Sequence, residues 1–147
     1  MLSPLPKVLH KLGGLSLVEH VVKAASAIDK SPILVVGHQA DEVMGNIEGV
    51  RFATQSPQLG TGHAVMIALP QIPNNDEPVL VLFGDTPLIK ASTLHKLVAQ
   101  LGEGRPLAVL AFESEHPGRY GRVVAEKDII HDIVEAKDAT DNQLAIR

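Results

Sequence analysis

Val79 to Asp85 reads VLVLFGD, an aliphatic run that closes on Gly and Asp. A run this apolar suits a strand covered on both faces, as in a parallel sheet. Outward from it, PILVVGH (32–38), VRFAT (50–54) and LAVLAFES (107–114) have the same short, apolar character. Between them lie stretches with apolar residues three and four apart, the spacing of an amphipathic helix. These are LSLVEHVVKAASA (15–27), QADEVMGNI (39–47), GHAVMIALP (62–70), which Pro70 should stop, and ASTLHKLVAQL (91–101). Strands alternating with helices of this length predict an α/β fold with 32–37, 79–84 and 107–112 in one mainly parallel sheet. Ligands on such a sheet bind at the carboxyl ends of the strands. The last stretch, YGRVVAEKDIIHDIVEAKDAT (120–140), has two β-rich runs around a polar EKD, which predicts a small antiparallel addition.

The 147 residues fit one domain, and a chain of that size buries about 70% of its unfolded surface. With 45% hydrophobic and 3% aromatic residues, its core must be aliphatic. A net charge of −4 argues against a general nucleic-acid surface. The absence of cysteine removes disulfides, thiolate catalysis and Cys-based zinc sites, and fits a reducing compartment. No apolar run approaches the roughly 18 residues of a membrane span, and MLSPLPKVLH lacks a signal peptide's charged start and apolar middle. A cytoplasmic protein is expected, with no membrane or nucleic-acid partner.

Three groups of residues fall where the predicted sheet would hold a ligand. QSPQLGTGHA (55–64) joins a strand to a helix, with Gly60 and Gly62 around Thr61 and Gln55 and Gln58 just upstream. Glycine lets backbone approach a ligand, and a helix start offers unpaired N–H groups. The competing reading is a tight turn with Thr61 as N-cap; the two glutamines weigh against it, because a primary amide can match a nucleobase edge. Asp85, at the end of the strongest strand, is placed as Mg²⁺ ligands often are beside a phosphate, or else as a turn or capping Asp. Lys7 is a flexible point charge suited to phosphate, although single lysines are mostly solvated surface. The seven histidines show no paired ligand spacing and read as core or surface residues.

In order along the chain, LPKVLH, HVV, VVGH, QLGTGHAV, GDTPLI, YGRVV and IVEAKDAT closely resemble the uridylyltransferase domain of bifunctional N-acetylglucosamine-1-phosphate uridylyltransferase / glucosamine-1-phosphate acetyltransferase. QLGTGHA and EAKDAT are the specific part of the resemblance, whereas GD at a strand end is widely shared. The resemblance implies a Rossmann-like, GT-A-like nucleotide-diphospho-sugar transferase fold. By analogy Gln55, Gly60 and Thr61 hold uracil, and Lys7 contacts phosphate. Phe83, Gly84 and Asp85 lie beside the ribose and metal, with Asp85 as a Mg²⁺ ligand, and Gly121 and Glu135 bind the N-acetylglucosamine part.

The family domain begins with a strand and glycine-rich loop that would precede Met1. Its Glu-x-Asn sugar-binding segment and a later metal-binding asparagine would follow Arg147. The expectation is therefore a partial domain over 1–147, with the first strand missing and a gap or re-pairing in the sheet. HPGRYGR (116–122) also departs from the family's usual Pro-Thr-Gly-Tyr-Gly-Arg.

The implied reaction joins UTP and N-acetylglucosamine 1-phosphate to give UDP-N-acetylglucosamine, a precursor of peptidoglycan and lipopolysaccharide, and pyrophosphate. The sugar phosphate is already an anionic nucleophile, so alignment and charge compensation suffice and no general base is needed. A noncatalytic remnant that binds uridine nucleotide or sugar phosphate is the alternative. A nicotinamide-binding dehydrogenase domain is disfavoured, because no Gly-x-Gly-x-x-Gly follows a first strand.

Overall fold

The computed structural model describes residues 4–74, 76–127 and 129–147. The chain divides into two compact units, Met1–Ala108 and Val109–Arg147.

In the first unit, a 3₁₀ turn at Lys7–Leu9 leads into a small hairpin of β1 (Lys11–Leu12) and β2 (Leu15–Ser16), then α1 (Leu17–Ala25). The sequence reading began the helix at Leu15. Ser16 ends that stretch as strand because its side chain caps the helix instead: its Oγ accepts from the Glu19 N–H at 3.3 Å, and the Glu19 carboxylate accepts from the Ser16 N–H at 2.6 Å. This reciprocal pair satisfies two donors that a helix start otherwise leaves open. The Ser16 hydroxyl, followed by the Ser16 N–H, holds the Glu19 carboxyl below its ordinary pKa.

Next come β3 (Ile33–Val36), α2 (Ala40–Met44), β4 (Arg51–Thr54), α3 (Thr61–Ala68) and α4 (Ala91–Val98). β3 and β4 pair in parallel, Ile33 opposite Arg51 through Val36 opposite Thr54. The intervening α2 supplies the crossover that parallel pairing requires. Leu9, Val18, Val36, Val43 and Ile47 form the buried core, so α1, β3, α2 and the loop after it meet there. Leu94 of α4, which packs against α1, is fully buried. The outer edge of β4 is covered: Gln71 Nε2 donates to the Phe52 carbonyl at 2.8 Å, and the Arg51 guanidinium donates to the Gln71 carbonyl at 2.7 Å.

The α/β class and the parallel pair agree with the sequence reading, but the extent of the sheet does not. Residues 79–84 and 107–112 belong to no ladder. Along 79–84 exposure still alternates: Val79, Val81 and Phe83 are exposed, while Leu80, Leu82 and Gly84 are half-buried. That period of two is the strand pattern without a strand partner. An open groove of about 1270 Å³ is lined by both Ile33–Gly37 and Val79–Gly84, so the two stretches stand too far apart for the N–H and carbonyl groups of one to reach the other in a ladder. The backbone carbonyls of Pro32 and Val36 point toward β4, accepting from Arg51 and Gln55. Polar groups alternate sides along a strand, so those of Ile33 and Val35 face the other edge.

In the second unit, β5 (Arg122–Glu126) and β6 (Ile129–Val134) form the expected antiparallel hairpin, with a register shift between Val124 and Ala125. α5 (Asp141–Leu144) follows, capped by Thr140 and Gln143. The Arg122 guanidinium donates to the carbonyls of Tyr120, Gly118 and Leu144, tying the turn before β5 to the end of α5.

Candidate functional site

α3 begins without a side-chain cap. Its N-cap is Gly60, at φ 99° and ψ 179°, a conformation that residues with a Cβ rarely adopt. Thr61 is thus the first helical residue and not the cap. The first bond of the helix is Ala64 N–H to the Gly60 carbonyl at 3.1 Å. The N–H groups of Thr61, Gly62 and His63 remain unbonded among the described residues, the arrangement that draws an anion or an acceptor.

Gln55 is held over this turn. Its backbone N–H donates to the Val36 carbonyl at 2.7 Å, which fixes it to the end of β3. Its side-chain Nε2 lies 2.9 Å from the Gly60 carbonyl and 3.1 Å from His63 Nδ1. Gln58, the second upstream glutamine, lays its amide over Gly37, so close that a Cβ at Gly37 would stand 2.5 Å from Gln58 Nε2.

Lys7 and Asp85 meet although 78 positions separate them: Lys7 Nζ donates to Asp85 Oδ2 at 2.5 Å, with side chains 57% and 36% exposed. Asp85 Oδ1 makes no hydrogen bond among the described residues. Gly84 packs against Val8 and Val18, where an added Cβ would find ordinary contact at 3.5–3.6 Å. That packing brings the end of the 79–84 stretch beside the turn carrying Lys7.

Lys7, Thr61, Phe83 and Gly84 all line this groove of the first unit. Gln55 and Gly60 form the turn that leads into Thr61, and Asp85 reaches Lys7 at the other wall. Gly121 and Glu135 belong to the second unit, where the Gly121 Cα faces the Val134 carbonyl so closely that a Cβ would stand 3.3 Å from it.

Among the described residues no group of three or more His, Asp or Glu could hold a metal. Asp85 offers one carboxylate oxygen, Oδ1, that makes no hydrogen bond among the described residues. This fits Mg²⁺, which takes one or two carboxylates and fills its shell from substrate phosphates and water, but does not fit a metal caged by protein alone. His63 was read from sequence only as a core or surface residue. Its contact with Gln55 depends on the path of the turn between them, which no histidine spacing reveals.

The family model for the MobA-like NTP transferase domain matches residues 1–145. The bifunctional protein GlmU of Cupriavidus taiwanensis is 48% identical over 152 residues, covering 100% of this chain and 33% of that protein. Its counterpart in Marinobacter nauticus is 46% identical over 151 residues, with the same 100% and 33%. That of Parvibaculum lavamentivorans is 43% identical over 148 residues, 97% of this chain and 33% of the relative. The chain therefore spans about a third of the length of these curated relatives. No helix among the described residues is long and apolar enough to cross a membrane.

Proposed function

The chain belongs to the MobA-like NTP transferase domain family, and from that premise we propose that it carries the uridylyl-transfer chemistry of UDP-N-acetylglucosamine synthesis. UTP and N-acetylglucosamine 1-phosphate would be its substrates and pyrophosphate its second product. The observation that carries the proposal is the uncapped start of α3, with Gln55 held above it and the Lys7–Asp85 pair on the same groove.

In this reading Gln55, Gly60 and Thr61 receive uracil, with the bare backbone of Gly60 allowing close approach. Phe83 and Gly84 lie along the ribose. Asp85 would contribute one ligand to Mg²⁺, which supplies charge compensation at the phosphates when bound. Lys7 would exchange Asp85 for a phosphate oxygen. Because the sugar phosphate attacks as an anion, these residues need only align it and offset charge at the α-phosphate. Gly121 and Glu135 are the proposed contacts to the N-acetylglucosamine part.

One observation favours binding without turnover as a second reading: among the described residues no group of three or more His, Asp or Glu could hold a metal, so the protein alone offers the ion few ligands. Substituting the 147 residues for the matched third of the Cupriavidus relative tests both. The first reading expects the hybrid to release pyrophosphate from UTP only when N-acetylglucosamine 1-phosphate and Mg²⁺ are present. A folded hybrid that binds UTP but releases none would support the second.

A further inference from the structure

The contact between Gln55 and His63 constrains what the loop can read. A carbonyl oxygen only accepts, so the 2.9 Å contact to Gly60 O identifies the inward end of the Gln55 amide as nitrogen. That nitrogen has two protons. One goes to Gly60, and the second goes to His63 Nδ1 at 3.1 Å. Nδ1 must then be the acceptor of a neutral ring whose proton sits on Nε2. Both amide donors are consumed, while Gln55 Oε1 has no partner among the described residues. Gln55 is anchored by its backbone to β3, and His63, in the first turn of α3, is partly buried. The side chain is thus held from the strand, the loop and the helix at once.

We propose that His63 is a positioning residue for base recognition: by taking the second amide proton of Gln55 it makes that side chain an acceptor only, so the loop selects a base edge that presents an N–H. This rests on the uridine reading above. Uracil offers an N3–H to such an acceptor. Cytosine has a bare lone pair at N3, which would face Oε1 unfavourably. Without His63 the amide keeps a spare donor, rotates, and can satisfy either base.

The test measures affinities of the 147-residue chain for UTP, CTP and N3-methyl-UTP, alone and with His63→Leu and His63→Asn. The native chain should prefer UTP over the other two by about tenfold or more, equivalent to about 1.4 kcal/mol. His63→Leu should bring the three within about threefold, and His63→Asn, whose amide oxygen can replace Nδ1 as acceptor, should restore most of the preference. Because His63→Leu could also disturb the helix start, ¹⁵N spectra of the unsubstituted chain give an independent reading. They should show the proton on Nε2 and a coupling from Nδ1 to the Gln55 amide. A proton on Nδ1 would overturn the proposal. Equal binding of UTP and CTP by the native chain would defeat the uridine reading and this proposal with it. A native preference for UTP that survives His63→Leu would overturn the role of His63 alone.

Discussion

Lys7 and Asp85 form an exposed ion pair, and such pairs contribute only about 0–1 kcal/mol to stability. Asp85→Asn should therefore shift the melting temperature little. In the active hybrid it should lower Mg²⁺-dependent pyrophosphate release by about a hundredfold or more, if the carboxylate holds the ion. A melting temperature that falls while turnover persists would make the pair structural. Gln55→Ala should weaken UTP by roughly 1–3 kcal/mol, the cost of leaving a buried polar edge unpaired, without a matching effect on sugar phosphate. Calorimetric titration with each ligand checks it, and equal losses for UTP and CTP would refute base reading by Gln55. The Gln55–Thr61 turn was legible as a candidate site because GTG beside two glutamines is unusual chemistry for a plain turn. The pairing of Lys7 with Asp85 was not, since nothing local links positions 78 apart.

The start of α1 shows how an element can be read and still be misplaced by two residues. Apolar spacing extends back to Leu15, but Ser16 and Glu19 stand three apart, and that spacing puts the cap at Ser16. Ser16→Ala should cost about 1 kcal/mol of unfolding free energy, measured by denaturant titration. Glu19 adds a pH dependence of known sign. Its carboxyl is held below the ordinary value of 4.5, so its contribution is complete above that pH and fades as pH falls below it. Glu19→Gln should flatten that acid limb, and an unchanged limb would remove Glu19 as its source. Residues 79–84 teach the opposite lesson: VLVLFG has the composition and the alternating exposure of a strand, yet a ladder needs a neighbour that local sequence does not supply.

Across the molecule, apolar periodicity was enough for the α/β class, the parallel β3–β4 pair and the β5–β6 hairpin. A gap in the sheet was expected from the family resemblance alone; periodicity could not foresee the groove lined by Ile33–Gly37 and Val79–Gly84, because a gap is a relation among elements and not a property of any one of them. Exposed Val79, Val81 and Phe83, on a stretch whose backbone joins no ladder, leave that edge open to pairing, a setting prone to association. Hydrogen exchange should find the amides of 79–82 fast in the dilute chain while those of β4 are slow, and slow exchange at 79–82 would mean that the edge is already paired. Function at this scale depends on whether the groove, the uncapped α3 and the Lys7–Asp85 pair act on one nucleotide. The most direct measurement is pyrophosphate release by the folded hybrid that carries these 147 residues in place of the matched third of a relative, with Mg²⁺ and N-acetylglucosamine 1-phosphate, comparing UTP with CTP. The account predicts release with UTP that drops about tenfold or more with CTP and disappears without the sugar phosphate. Equal release from the two nucleotides, or release that ignores the sugar phosphate, would contradict it.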